Sequence, residues 1–178
     1  MYRVVFLDRD GVINIEKNYL YKIEDFEWIT GVKESVRAFN EAGYKVIVVT
    51  NQSGIGRGYY TQDDFDRLTV WMKEEFHKAG GEILALYHCP HAPHEACQCR
   101  KPLAGMIIQA CQDYPIDLTQ SWLIGDKESD IQAALAGGVA GTILVRSGHD
   151  VDEKSTQAQW VVNGIFDTIS LICSKDKE

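Results

Sequence analysis

No apolar stretch in this 178-residue chain approaches the roughly 20 residues that a membrane-spanning helix requires. The opening run, Met1 to Leu7, meets Asp8 before it could become the core of a signal peptide, so a cytoplasmic protein is expected. Basic residues are also scarce, with 18 Lys and Arg against 26 Asp and Glu and a formal net charge of −8. A partner with a repeating phosphate backbone needs a basic surface, so neither nucleic acid nor membrane is an expected partner, although a local basic pocket for one phosphate is compatible with this balance. Internal repeats, low-complexity tracts and Pro/Ser-rich linkers are absent. The 45% hydrophobic and 25% charged fractions are those of an average globular protein, which excludes disordered, collagen-like and coiled-coil readings. The length suits one domain over residues 1–178, and no surplus amphipathic surface argues against a monomer.

What is present is an alternation of β-branched apolar runs with amphipathic stretches, the pattern of an α/β domain. Strands are expected at Val4–Leu7, Val46–Val49, Ile83–Tyr87, Trp122–Ile124 and Thr142–Val145, with an edge strand at Trp160–Val162. Val32, Val36 and Phe39 recur at helical spacing before Gly43. Thr61 and Asp64 resemble a capping box opening a helix whose stripe is Phe65, Leu68, Met72 and Phe76, ending near Gly80-Gly81. Further helices are expected at Ala104–Gln112, Glu128–Ala136 and Gly164–Cys173, followed by a charged, frayed tail from Ser174 to Glu178. The result is a Rossmann-like α/β fold: a mostly parallel sheet with helices on both faces. Ligands of such folds bind beyond the carboxyl ends of the strands.

Three of those strand ends carry polar clusters: Asp8-Arg9-Asp10-Gly11, Thr50-Asn51-Gln52-Ser53-Gly54 and Gly125-Asp126-Lys127. Asp and Gly after one strand are ordinary turn formers, but turn chemistry alone does not explain three convergent ends. Asp8 and Asp10 point the same way in extended backbone. Two such carboxylates repel unless a cation or a shared proton lies between them, and Asp126 could complete an all-oxygen site suited to Mg²⁺. Carboxylates, the Thr50 hydroxyl and the Lys101 cation together make a phosphoryl-transfer kit.

Five cysteines are present, and Cys89, Cys97 and Cys99 crowd the aperiodic segment 88–102 with histidines. Without an export signal such crowding points to metal before disulfide. Cys89-x-His91 with Cys97-x-Cys99 offers three thiolates and one imidazole, a set suited to tetrahedral Zn²⁺. Reduced buried cysteines or a redox pair are the alternatives, and on spacing alone His94 could replace His91. Four protein ligands leave no open position, which makes the metal structural, stiffening the loop that delivers Arg100 and Lys101. Cys111, Cys173 and the four scattered tryptophans read as packing residues.

Asp8-Arg9-Asp10-Gly11-Val12-Ile13-Asn14, then Thr50-Asn51, then Lys101, then Gly125-Asp126 with Asp130 resemble the four ordered motifs of the haloacid dehalogenase superfamily of phosphatases. More closely, the chain from about Val4 to Val145 resembles the D-glycero-D-manno-heptose 1,7-bisphosphate 7-phosphatases, with histidinol-phosphate phosphatases as near relatives. The resemblance implies Asp8 as nucleophile and Asp10 as general acid and base. It also implies Mg²⁺ on Asp8, the Asp10 carbonyl and Asp126, with Thr50, Asn51 and Lys101 on the phosphoryl oxygens. The same pattern favours His91 in the zinc loop, and puts Glu16, Lys17, Asn18 and Tyr19, with Gln52 and Ser53, against the sugar. Arg100 and Lys101 would lie near a phosphate, Lys127 and an orienting Asp130 nearby, and the Arg57 fork suits a second phosphate. The excursion from Asn14 to Thr30 is too short for a separate cap domain, so a capless, open site is expected. The string Asn51 to Gly58 favours heptose bisphosphate, and hence heptose supply for lipopolysaccharide or related glycans. Histidinol phosphate, a DNA 3′-phosphate end and non-catalytic binding of a phosphorylated ligand are the alternatives, the DNA end being disfavoured by the acidic balance.

Overall fold

The apolar runs pair into a six-stranded, wholly parallel sheet in the computed structural model, which describes residues 1–174. Its strands are β1 (Arg3–Leu7), β2 (Tyr44–Asn51), β3 (Ala85–Cys89), β4 (Trp122–Gly125), β5 (Gly141–Val145) and β6 (Trp160–Val162), in the order β3-β2-β1-β4-β5-β6. The helices are α1 (Val32–Glu41), α2 (Ser53–Gly56), α3 (Gln62–Lys78), α4 (Gly105–Asp113), α5 (Glu128–Gly137) and α6 (Thr168–Cys173). No helix among the described residues is long and apolar enough to cross a membrane. Apart from Ser174, the expected frayed tail lies outside the described residues.

Strand alternation divides the core in two. Val5 and Leu7 of β1, with Val46 and Val48 of β2, face Val36 and Phe39 of α1, Leu68, Met72 and Phe76 of α3, and Ile172 of α6. Val4 and Phe6, with Ile47 and Val49, face Met106, Ile107 and Ala110 of α4 and Ala134 of α5. Residues of both parities are therefore buried, which is why the central strands read as continuous apolar runs. Helix α3 starts as expected: Asp64 N–H donates to Thr61 Oγ1 at 3.1 Å and Thr61 N–H to Asp64 Oδ2 at 2.9 Å.

β2 runs two residues beyond Val46–Val49 at each end, and three further differences from expectation stand out. β3 begins and ends two residues later than Ile83–Tyr87, with Asn51 of β2 paired to Cys89. This is a half-buried edge strand, where His88 and Cys89 can occupy ladder positions without an apolar signature. The shift brings the first residue of the cysteine–histidine loop beside the polar end of β2. The last helix is split into a 3₁₀ turn, Ile165–Asp167, and α6. Helix α2 is a single turn inside a glycine-rich segment that carries no period.

Phe39 is fully buried between α1 and the sheet. Phe39→Ala is expected to cost about 3–5 kcal/mol in urea unfolding, whereas Val70→Ala, on the exposed side of α3, should stay within about 0.5 kcal/mol. Equal, small effects would contradict this core.

Candidate active site

From β1 the chain runs outward through β2 to β3, then crosses back to β4 on the other side of β1 and runs outward to β6, making a topological switch point between β1 and β4. A cavity of about 460 Å³ opens there, with Asp8, Asp10 and Lys101 in its wall. Asp8 is the first residue past β1, and its N–H donates to the Ile124 carbonyl of β4 at 3.1 Å. Asp8 Oδ1 accepts from the Arg9 N–H at 2.8 Å and lies 3.0 Å from Lys101 Nζ. That ammonium also meets Asp130 Oδ1 at 2.5 Å and donates to the Val49 carbonyl at 2.9 Å. Burial alone would lower Lys101, but Asp130 and Asp8 raise it above the ordinary lysine range, so it remains a cation. Burial, reinforced by Asp130, pushes Asp8 well above the carboxylate range against the pull of Lys101, with Asp126 and Asp10 adding to the rise.

Lys101 is held from β2. Its N–H donates to Asn51 Oδ1 at 3.0 Å, and Asn51 Nδ2 donates to its carbonyl at 3.2 Å. Thr50 is buried and is not among the residues that line the cavity, and its Oγ1 accepts from Gln52 Nε2 at 2.9 Å. Asp10 Oδ1 accepts from Arg9 Nη2 at 2.9 Å and Asn14 Nδ2 at 3.0 Å, while Oδ2 accepts from Gln52 Nε2 at 3.0 Å. Burial acts to raise Asp10, but the Arg9 guanidinium and the Asn14, Arg9 and Gln52 hydrogen bonds outweigh it and hold Asp10 below the usual range.

Asp126, just after β4, is buried to 1% exposure, as is Asp130, and the chain approaches Asp126 closely. Gly11 has φ +86°, and a Cβ there would lie 2.3 Å from Asp126 Oδ2; both facts require glycine. Asp126 Oδ2 accepts from the His149 N–H at 3.0 Å and lies 2.6 Å from His149 Nδ1. Its Oδ1 is buried and has no hydrogen-bond partner among the described residues. Carboxylate oxygens of Asp8, Asp126 and Asp130 lie within 4.8 Å of one another. Asp130 is otherwise engaged, Oδ2 accepting from the Asp126 and Lys127 N–H groups at 3.1 Å each, which suits orientation. An orphaned buried oxygen beside a proton-favouring Asp8 is the arrangement that a hard divalent cation relieves.

The cavity rim is built by loops. Glu16, Asn18 and Tyr19 line it from one side, Gln52, Ser53 and Arg57 from another, and Arg100 and Lys127 from the far side. Asn18 and Tyr19 hold φ values of +49° and +60°, uncommon for side chains of their kind. The Arg57 guanidinium lies 5.7 Å from the Tyr19 ring centre. Lys17 is turned elsewhere: its ammonium donates to the Asp25 carbonyl at 2.9 Å and to Glu27 at 2.5 Å, and it does not line the cavity. The expected sugar contact of Lys17 therefore has no geometric counterpart here.

Ligand atoms of Cys89, His91, Cys97 and Cys99 also lie within 4.8 Å of one another, a group that could hold a metal ion. His94 is exposed outside the cluster, and His88 instead stacks on Phe65 and meets Gln62 Oε1 at 2.9 Å. The loop is stitched to the cavity wall: Gln52 N–H donates to the Cys89 carbonyl and Gly56 N–H to the Pro90 carbonyl, each at 2.8 Å.

Sequence reasoning passed over Arg9, Tyr60 and His149. His149 follows β5, a fourth strand end that the switch-point rule covered equally. Arg9 alternates away from Asp8 and Asp10 and is wholly buried, so spacing alone hid its return to Asp10.

A family model of HAD-hydrolase-like proteins matches residues 98–169. A D-glycero-α-D-manno-heptose-1,7-bisphosphate 7-phosphatase of Photorhabdus laumondii is 43% identical, covering 96% of each chain. A D-glycero-β-D-manno-heptose-1,7-bisphosphate 7-phosphatase of Yersinia pestis is 40% identical over 97% of this chain and 96% of its own. Among solved structures, the D,D-heptose 1,7-bisphosphate phosphatase of B. bronchiseptica, complexed with magnesium and phosphate, superposes with a TM-score of 0.84 at 27% identity, over 97% of this chain and 99% of that one. With near-full-length identity of this degree, the chain belongs to the D-glycero-D-manno-heptose-1,7-bisphosphate 7-phosphatase family of HAD-like hydrolases.

Proposed function

We propose that this chain hydrolyses the 7-phosphate of D-glycero-D-manno-heptose 1,7-bisphosphate, as its relatives' names describe. The observation that carries the reading is the packing of Asp8 against Lys101 at the mouth of a parallel-sheet switch point, with Asp10 two residues on. Asp8 attacks phosphorus in line, forming an aspartyl-phosphate as the bond to the C7 oxygen breaks. The departing alkoxide takes a proton from Asp10. Since its neighbours hold Asp10 low in the free site, that proton is taken up as the phosphate's negative charge arrives and raises Asp10 by repulsion. A water then gives its proton back to Asp10 and cleaves the acyl phosphate, releasing inorganic phosphate and restoring Asp8. Lys101 and the Thr50 hydroxyl stabilise the moving phosphoryl oxygens. Asp8, the Asp10 carbonyl and Asp126 are the groups that would hold Mg²⁺, whose contribution is to keep Asp8 ionised and to neutralise the crowded negative charge.

The rim cations Arg57, Arg100 and Lys127 suit the second, unreacting phosphate of a bisphosphate. The product would feed heptose into bacterial lipopolysaccharide or related glycans. In the cysteine–histidine loop we assign zinc. Tetrahedral Zn²⁺ holds thiolate and imidazole ligands about 3.4–3.8 Å apart. Cys89–His91 at 3.4 Å, His91–Cys99 at 3.3 Å and Cys89–Cys97 at 3.8 Å fit that spacing, while Cys89–Cys99 at 2.9 Å is closer. Burial and the neighbouring Cys99 thiol push Cys89 upward, a cost that metal coordination offsets by replacing the proton.

Phosphate release in Mg²⁺ from both anomers of the heptose bisphosphate and from histidinol phosphate tests the reading. A kcat/KM preference of ~100-fold or more for a heptose, about 2.7 kcal/mol, is expected; a preference for histidinol phosphate would overturn it. Asp8→Asn should remove turnover by ~10⁴-fold or more with the melting temperature preserved, and substantial residual phosphate release would sink the nucleophile assignment. Chelators strong enough to strip zinc should lower the melting temperature and release about one equivalent of zinc per chain, an effect that added Mg²⁺ does not reverse. Metal analysis finding none in freshly purified protein would refute the zinc assignment.

A further inference from the structure

Tyr60, just beyond α2, is an aromatic residue that none of the chemistry above uses. Its ring is buried, stacks on Tyr21 at 5.3 Å between ring centres and an interplanar angle of 13°, and enters the cavity wall. Gly54 makes room for it: a Cβ at that position would lie 2.1 Å from Tyr60 Cε1. The phenol donates a short hydrogen bond to Gln52 Oε1. Gln52 is itself 3% exposed, and its Nε2 donates both to Asp10 Oδ2 at 3.0 Å and to Thr50 Oγ1 at 2.9 Å.

We propose that Tyr60 is a positioning residue that locks the Gln52 amide in the one orientation that aims both Asp10 and Thr50 at the reacting phosphate. An amide can be turned end for end at little steric cost, and only its hydrogen-bond partners choose between the two states. Turned over, Gln52 would set its carbonyl oxygen against the Asp10 carboxylate and its NH₂ against the phenol donor. With the phenol in place, the carbonyl end has a donor and the NH₂ end has two acceptors. Burial raises Tyr60 to about 12, so the phenol keeps its proton across the working range and acts as a donor throughout.

Two consequences follow for the chemistry. Thr50 Oγ1 receives the Gln52 hydrogen bond, which turns the hydroxyl's own hydrogen toward another acceptor, the phosphoryl oxygen in the reading above. Asp10 Oδ1 already accepts two hydrogen bonds, whereas Oδ2 accepts only that from Gln52. Oδ2 is thereby the oxygen left to carry the proton that the leaving alkoxide takes. One phenol thus orients the acid and the hydroxyl together, through a side chain that itself transfers no proton.

This inference rests on the phosphatase reading, and the experiment separates the two. Tyr60→Phe keeps the ring, the stack on Tyr21 and the fit against Gly54, and removes only the hydroxyl. With heptose bisphosphate and saturating Mg²⁺ it should lower kcat by about 10-fold, the size of one buried hydrogen bond lost at the transition state, with KM changed by less than about 2-fold. In a Gln52→Met background the same change should have no further effect, since Tyr60 acts through that amide. The ¹⁵N–¹H side-chain signals of Gln52, assigned by their loss in Gln52→Met, should shift and lose solvent protection in Tyr60→Phe. Wild-type kcat in Tyr60→Phe, or an equal loss with and without Gln52, overturns the proposal. An inactive wild-type protein would instead defeat the phosphatase reading, while the Gln52 amide signals would still decide whether the phenol orients it.

Discussion

A single buried ammonium organises the site. Lys101 Nζ lies 3.0 Å from Asp8 and 2.5 Å from Asp130, almost sealed from water. Neither carboxylate would be tolerable there alone, because burying an unpaired charge costs several kcal/mol. The ammonium is equally dependent on them, and on the Val49 carbonyl that takes its remaining direction. Removing Lys101 would leave two buried carboxylates facing each other uncompensated, whereas neutralising Asp8 leaves the Lys101–Asp130 pair in place. The geometry of this trio is consequently set by the fold as a whole and not by local backbone preference.

The members of the trio follow different strands, Asp8 directly after β1, Lys101 in the loop after β3 and Asp130 in the first turn of α5 after β4, and the surrounding segments anchor them from behind. Asn51 clasps both backbone groups of Lys101, and the cysteine–histidine loop preceding Lys101 is bonded to the segment after Asn51. Asp130 holds the turn at Asp126 and Lys127 through their N–H groups. His149, arriving from beyond β5, holds the other side of Asp126. Asp10 has three side-chain donors of its own and stays low, whereas Asp8, one alternation away, is driven upward. Two carboxylates separated by one residue thus have opposite proton affinities, the reverse of what their assigned roles need, and a cation beside Asp8 and phosphate charge beside Asp10 would each act to invert that order.

Much of this is legible in the amino-acid sequence. β1, β2 and β4 are buried on both faces, so their runs of Val, Ile, Leu and Phe are unambiguous. The acids at their ends are recognisable because the switch-point rule says where to look. β3 was displaced by two residues because an edge strand tolerates His88 and Cys89, and α2 left no trace because four residues with two glycines have no period. Lys17 is expected at the cavity because the family resemblance assigns the whole run Glu16 to Tyr19 to the sugar. The left-handed backbone at Asn18 and Tyr19 and the pairing with Glu27 are contingent features that composition does not encode. Contacts of this kind, Arg9 to Asp10 and Tyr60 to Gln52 among them, depend on where long side chains turn back, which spacing does not report.

The regiochemistry of hydrolysis tests the central claim most directly. A ³¹P NMR time course on heptose 1,7-bisphosphate with Mg²⁺ should show the 7-phosphate signal replaced by inorganic phosphate while the anomeric 1-phosphate signal persists unchanged. Loss of the 1-phosphate first, or loss of both at equal rates, would contradict an account in which the catalytic aspartates meet C7 while the rim arginines hold the other end.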